Sequence, residues 1–171
     1  MDEEKTFPSG AVLVYLIREV QILGAIKPIK QVLLPIKANK IGAGRRNGYG
    51  GGIEKDETKE EAAVRELLEE CEIIASTKDL NRVAIMNFHN TNTNGATFTC
   101  KVHVFLLLSW LGTIRETRAM LQPKWFNTKW LPFYQMMPAD EEWLPLVFSG
   151  KKIVGTAHYG PFQKSFLNRR R

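Results

Sequence analysis

The sequence predicts an α+β fold in which a mixed β-sheet is sandwiched between helices. Three observations carry that prediction. Compact apolar runs bounded by Pro, Gly and polar turns, the mark of strands, stand on both sides of one central helix. That helix lies within Gly50–Ile73 (GGGIEKDETKEEAAVRELLEECEI), where Val64, Leu67, Leu68 and Cys71 recur at i, i+3, i+4 and i+7 as one apolar stripe. A second helix start follows late in the chain, at Pro138-Ala139-Asp140-Glu141-Glu142-Trp143.

Ala11 to Ile17 (AVLVYLI), after Pro8-Ser9-Gly10, reads as a buried strand. Arg18 to Lys30 is a loop or hairpin punctuated by Gly24 and Pro28. Gln31 to Ile36 (QVLLPI) is a second strand, whose Pro35 pushes its end towards an edge because proline donates nothing to a ladder. The loop from Ile41 to Gly51 (IGAGRRNGYGG) has glycines that allow close backbone approach to a ligand and arginines suited to phosphate. Beyond the central helix, Leu80 to Phe88 and Thr97 to Leu108 are strands around the polar turn Asn90 to Gly95. Lys124-Trp125-Phe126 is a short strand, and Trp130 to Met137 an aromatic, methionine-rich connection. The last helix runs to about Phe148 and a final strand from Ile153 to Phe162. The whole reads as one domain over residues 1–171, with 1–10 and 164–171 as flexible ends.

Hydrophobic content of 44% and charged content of 25% are ordinary for a globular protein. A net charge of +6 favours polyanionic partners, nucleotides and nucleic acid alike, and does not choose between them. Cys71 and Cys100 have neither metal-ligand spacing nor a disulfide framework. The start, MDEEKTFPSG, is unlike a signal peptide. The most apolar run, Val104 to Leu111, falls far short of the roughly 20 residues a spanning helix needs. The expectation is a cytoplasmic enzyme with no membrane partner, its oligomeric state left open.

Glu66, Glu69 and Glu70 sit at i, i+3 and i+4, roughly opposite the apolar stripe. Alone, such a trio is most often a solvated acidic face. Like charges so placed repel, however, and a cation relieves them; in front of a glycine-rich backbone the natural candidate is a hard divalent ion such as Mg²⁺. Gly51, Glu57, Arg65-Glu66-Leu67, Glu69-Glu70 and Ile73 fall at the spacing of the Nudix box. The chain thus resembles the Nudix hydrolases, which cleave a diphosphate linked to another moiety. Outside the box it is most similar to the MutT-type oxidised purine nucleoside triphosphate hydrolases (8-oxo-dGTP diphosphatases), from about Val12 to Gly160. That similarity rests on GAGRRNGYGG (Gly42 to Gly51), KVHVF (Lys101 to Phe105), PKWF (Pro123 to Phe126) and PADEEWLPL (Pro138 to Leu146).

The resemblance implies a Nudix fold and a small-molecule nucleotide substrate. It implies Mg²⁺, with Mn²⁺ as a substitute, on Glu66, Glu69, Glu70 and the carbonyl of Gly50, one glutamate doubling as base. Glu57 and Arg65, grouped with the catalytic residues, would be a structural ion pair holding the loop against the helix. Lys37 would reach the phosphates or sugar, Asn47 would hydrogen-bond the base, Phe88 would line its pocket and Asp140 would read the purine edge. Attack within the triphosphate would give a nucleoside monophosphate and pyrophosphate, a nucleotide-pool sanitation activity.

Five positions depart from the pattern. Glu72 stands for the glycine that ends the helix, so that the helix runs on or Glu72 carries strain. Met137 stands for the tryptophan that stacks on the base, and Ala139 for the first of two base-reading aspartates. Ile41 stands for a loop aromatic. Ala119 stands for a distal glutamate ligand, with Glu116 the nearest acid. Plainer readings compete at several sites: Lys37 as a solvated lysine, Asp140 as a helix N-cap, Met136, Met137 and Trp143 as core, and His103 as a strand residue. Two other functions stand beside the first. One is a Nudix hydrolase for dinucleoside polyphosphates, ADP-ribose or capped RNA. The other is a nucleotide- or RNA-binding module with little turnover, favoured by the missing distal acid and the tail Arg169-Arg170-Arg171.

Overall fold

The computed structural model describes residues 9–92 and 94–166, so Arg169-Arg170-Arg171 and residues 1–8 lie outside the described residues. The strands are β1 (Ala11–Val20), β2 (Ile29–Lys37), β3 (Asn81–Thr91), β4 (Thr97–Leu107), β5 (Met120–Asn127) and β6 (Ile153–Pro161). The helices are α1 (Lys59–Cys71) and α2 (Asp140–Phe148), with 3₁₀ turns at Thr77–Asp79 and Phe133–Gln135. One six-stranded sheet runs β5-β2-β1-β4-β3-β6. The β1–β4 and β3–β6 pairs are parallel and the others antiparallel, so the sheet is mixed as expected.

Period two explains the layering. From β1, Val12, Val14 and Leu16 point to the side covered by α1, where Leu33, Phe105 and Leu107 join them. Tyr15 and Ile17 point to the side covered by α2, packing with Val104, Trp143 and Leu144. Both faces of β1 are buried, which is why its sequence is continuously apolar rather than alternating.

The start of α1 is a capping box. The Glu61 amide donates to Thr58 Oγ1 at 3.1 Å, and the Thr58 amide to Glu61 Oε2 at 2.7 Å. Of the stripe expected of it, the helix fully buries Leu67 and Cys71 but not Val64 or Leu68. Its buried face is Ala62, Ala63, Glu66, Leu67 and Cys71, while Leu68 is 53% exposed. Two alanines let the helix lie close to the strands, and this outweighs the bulk of Val64 and Leu68. Glu66 and Glu70 therefore flank the core instead of facing away from it. The helix ends at Cys71, with Glu72 left-handed at φ +61° and its amide donating to Leu68 O. Of the two consequences expected there, strain is realised and extension is not; a non-glycine in this region costs about 1–2 kcal/mol.

Other boundaries differ from expectation, and β3 runs on to Thr91, into the turn expected from Asn90. β1 runs on to Val20, β2 begins at Ile29 and β5 begins at Met120. β2 is interior, but near Pro35 it has parted from β1, and the glycine-rich loop fills the gap: Tyr49 bridges to Val14 and Arg46 to Ile36. The Pro35 carbonyl accepts from the Asn47 amide at 3.1 Å. Residues 164–166, expected in a flexible end, turn back onto β6, with Phe166 bridging Tyr159 and the Gly160 amide donating to Ser165 O. At the other end, Gly10 is buried and its carbonyl accepts from Ile53 N at 3.0 Å.

Candidate active site

The strand gap places the glycine loop directly over α1. The Gly50 amide donates to Glu70 Oε2 at 2.8 Å. A β-carbon on Gly51 would overlap the Glu66 carboxylate, and one on Gly50 would overlap the Val12 carbonyl. Two glutamates thus press on a backbone turn that only glycine can form. Burial pushes the Glu70 carboxyl up to about 7, against the pull of the Gly50 amide and of Lys37. Burial also raises Glu66, opposed by the Arg65 hydrogen bond. Glu69 is 59% exposed.

Arg65 organises this face. Its Nε donates to Glu57 Oε2 at 3.0 Å and its Nη2 to Glu57 Oε1 at 2.7 Å, a bidentate fork. Nη2 also reaches Gly52 O at 2.9 Å, and Nη1 reaches Glu66 Oε1 at 2.9 Å and Glu69 Oε2 at 3.5 Å. The fork lowers the Glu57 carboxyl from its ordinary value, against the pull of desolvation. Among the described residues, no group of three His, Cys, Asp or Glu side chains is arranged to hold a metal ion as it stands. The glutamates are engaged by Arg65 and the Gly50 amide. Glu116 is engaged elsewhere, accepting from the Gln122 amide at 3.0 Å.

The other predicted residues come from β2, the glycine loop, β3, α2 and the turn before α2. Lys37 is not simply solvated: burial lowers its pKa, and Glu70 opposes that shift from nearby. Asn47 is fixed by the Tyr15 hydroxyl, which donates to its Oδ1 at 3.1 Å, as does the Gly48 amide at 2.8 Å. Both donors are taken by the carbonyl end of the amide. The Tyr15 ring lies 6.4 Å from Trp143, and Trp143 Nε1 donates to Asp140 Oδ1 at 3.1 Å. Asp140 Oδ2 accepts from the Met137 amide at 3.2 Å. Asp140 opens α2 without capping it in the ordinary sense, since the N-cap residue is Ala139. Desolvation pushes the Asp140 carboxyl up to about 7. Phe88 packs near Trp143 and stacks on Tyr159, with centroids 6.4 and 5.8 Å away. Met137 is buried and lies over Gly42.

The loop arginines do not stand ready for phosphate. Arg46 is buried and donates to Leu34 O, Gln122 O and Gln135 Oε1, a clamp joining β2, β5 and the 3₁₀ turn. Arg45 donates to Met136 O at 2.7 Å and Gln163 O at 3.1 Å, tying the loop to the C-terminal turn. Sequence reasoning also missed Tyr15, which sits in an apolar run and has no local signal beyond its hydroxyl.

A helix offering buried carboxylates to a glycine turn, locked by an Arg–Glu fork, agrees with the family comparison. Residues 12–147 match the NUDIX domain. The chain is a member of the Nudix family. It is 37% identical over 126 residues to an oxidized purine nucleoside triphosphate hydrolase of Mus musculus, covering 74% of this chain and 77% of that one. A protein of the same name from Danio rerio is 37% identical over 125 residues, covering 73% of this chain and 76% of that one. Among solved structures, a MutT protein from Bacillus halodurans superposes with a TM-score of 0.71 at 20% identity, over 94% of this chain and 95% of that one. This Nudix hydrolase has the mixed sheet between two helices that those folds share. No helix among its described residues is long and apolar enough to cross a membrane.

Proposed function

We propose that this Nudix enzyme uses Mg²⁺, with Mn²⁺ as a substitute, to cleave purine nucleoside triphosphates, oxidised ones included, to monophosphate and pyrophosphate. The observation that carries the reading is the pair Glu66 and Glu70 pressed on Gly51 and Gly50. The donor set fits the ion: oxygen ligands only, two of them desolvated carboxylates that bear charge at a cost until a cation arrives. Glu66, Glu69, Glu70 and the Gly50 carbonyl would hold it. Bound there, it would neutralise phosphate charge and lower the pKa of a coordinated water.

The chain's own residues do the rest. Arg65 keeps Glu57 and the loop against α1 and steadies Glu66. Lys37 brings a positive charge to the phosphate side, next to Glu70. Asn47 and Asp140 meet the base edge, with Phe88 and Met137 as the apolar walls. The named relatives act on oxidised purine triphosphates by their names, and Asn47 and Asp140 keep two polar readers for such a base. With Ala139 in place of a second acid, selection for the oxidised form is weaker than for purine over pyrimidine. One catalytic domain over 1–171, with both cysteines free, suits a cytoplasmic sanitising enzyme.

The test is kcat/KM with Mg²⁺ for dGTP, 8-oxo-dGTP, dATP, dCTP and dTTP, scored by pyrophosphate release. Purines should exceed pyrimidines. A preference for ADP-ribose, a dinucleoside polyphosphate or capped RNA over all five would replace the substrate assignment, and binding without turnover would replace the enzymatic one.

A further inference from the structure

Tyr159 carries a polar group that the fold leaves unused. The residue is 2% exposed, yet its hydroxyl has no hydrogen-bond partner among the described residues. The Ala139 amide lies close enough to favour the phenolate but outside hydrogen-bonding geometry, and an amide could in any case only donate, leaving the phenol proton without an acceptor. A buried hydroxyl without a partner has given up its hydration without compensation, which leaves it able to serve a ligand.

Its position bears on which ligand that would be. Tyr159 stacks on Phe88 and shares a buried cluster with Met137, Ala139 and Trp143. Its charge neighbours are Asp140 and Arg45, and it also neighbours Tyr15, which holds Asn47. The hydroxyl therefore stands beside Ala139, where the chain has a methyl group in place of an acid. We infer that the Tyr159 hydroxyl is a third reader of the base, donating a hydrogen bond to an acceptor on the purine edge and making up for the absent carboxylate at Ala139. This rests on the base pocket proposed above. Entry of the base requires a buried side chain to yield; Met137, unbranched and lying over Gly42, is the one suited to move.

The inference separates from a structural role because an unpaired hydroxyl adds nothing to the free protein. Tyr159→Phe should leave the Tm of the nucleotide-free protein unchanged or higher. It should lower kcat/KM for dGTP and dATP about tenfold while dCTP and dTTP change little. Binding of dGMP measured calorimetrically should weaken in step, and this readout does not depend on turnover. An unchanged purine-to-pyrimidine ratio in Tyr159→Phe, with Asn47→Ala shifting it, overturns the inference and leaves the pocket standing. A lower Tm with an unchanged ratio overturns it too, since the hydroxyl would then be a structural bond. If neither variant moves the ratio, the base is read elsewhere and the pocket falls with it.

Discussion

The glutamate helix and the proposed base pocket are built in opposite ways. The first is local: Glu57, Arg65, Glu66, Glu69 and Glu70 lie within 14 consecutive residues and are locked by one arginine fork and one glycine turn. The second is assembled from β1, the glycine loop, β3, α2 and β6, which supply Tyr15, Asn47, Phe88, Asp140 and Tyr159. A local frame tolerates few changes because each group has a fixed partner. A dispersed pocket can exchange one reader for another, as proposed for Ala139 and Tyr159. Chemistry should therefore be brittle to single substitutions and specificity graded.

The largest effects belong to the helix. Glu69→Gln or Glu70→Gln should each reduce hydrolysis by about 10²-fold or more, measured as pyrophosphate release at saturating Mg²⁺. Their folding consequences differ: Glu69 is exposed and its variant should keep the wild-type Tm. Glu70 is desolvated, so neutralising it should raise the Tm of the metal-free protein. Near-normal turnover in both variants removes the glutamates from the chemistry. Gly51→Ala should follow closely, because its β-carbon displaces the Glu66 carboxylate while leaving the base pocket in place. Activity should fall for all nucleotides by one common factor, and an altered ranking among bases would erase the distinction between the two regions.

Asp140→Asn should act on the other side. It keeps an acceptor for one of the two N–H groups that the carboxylate serves, Met137 N and Trp143 Nε1, and sets an NH₂ against the other. The purine preference should flatten while metal dependence stays. The pH dependence has a definite sign. Folded Asp140 holds its proton up to about 7 because it is desolvated, whereas the unfolded chain releases it near 3.8. Between those values the folded state binds more protons, so its stability falls as pH rises. The destabilisation caused by Asp140→Asn, read by urea unfolding, should be larger at pH 5 than at pH 8; a pH-independent difference would contradict the buried acid. Smallest of all, Glu116→Gln should leave the Mg²⁺ titration unchanged, since that carboxylate is engaged with the Gln122 amide. A raised Mg²⁺ requirement would enrol it as the distal ligand.

This contrast also explains what could be read in advance. The mixed sheet, the helix and the box residues follow from periodicity and spacing over short windows. What escaped is long-range. The helix turned its Ala62–Ala63 side inwards because closeness to β1 outweighs side-chain size, which placed Glu66 and Glu70 at the edge of the core. Arg45 and Arg46 looked like phosphate ligands in a glycine loop, but their acceptors are carbonyls 12 to 118 residues away. Tyr15 and Tyr159 looked like strand residues, and only the fold brings them into one buried cluster beside Asn47 and Asp140.

The most direct test of the account follows one purine triphosphate by ³¹P NMR with wild type and Glu70→Gln, each with Mg²⁺ and with chelator. The account predicts that wild type with Mg²⁺ yields monophosphate and pyrophosphate, and that the other three samples leave the triphosphate intact on the same timescale. Release of orthophosphate and a diphosphate, or turnover of wild type in chelator, would contradict it.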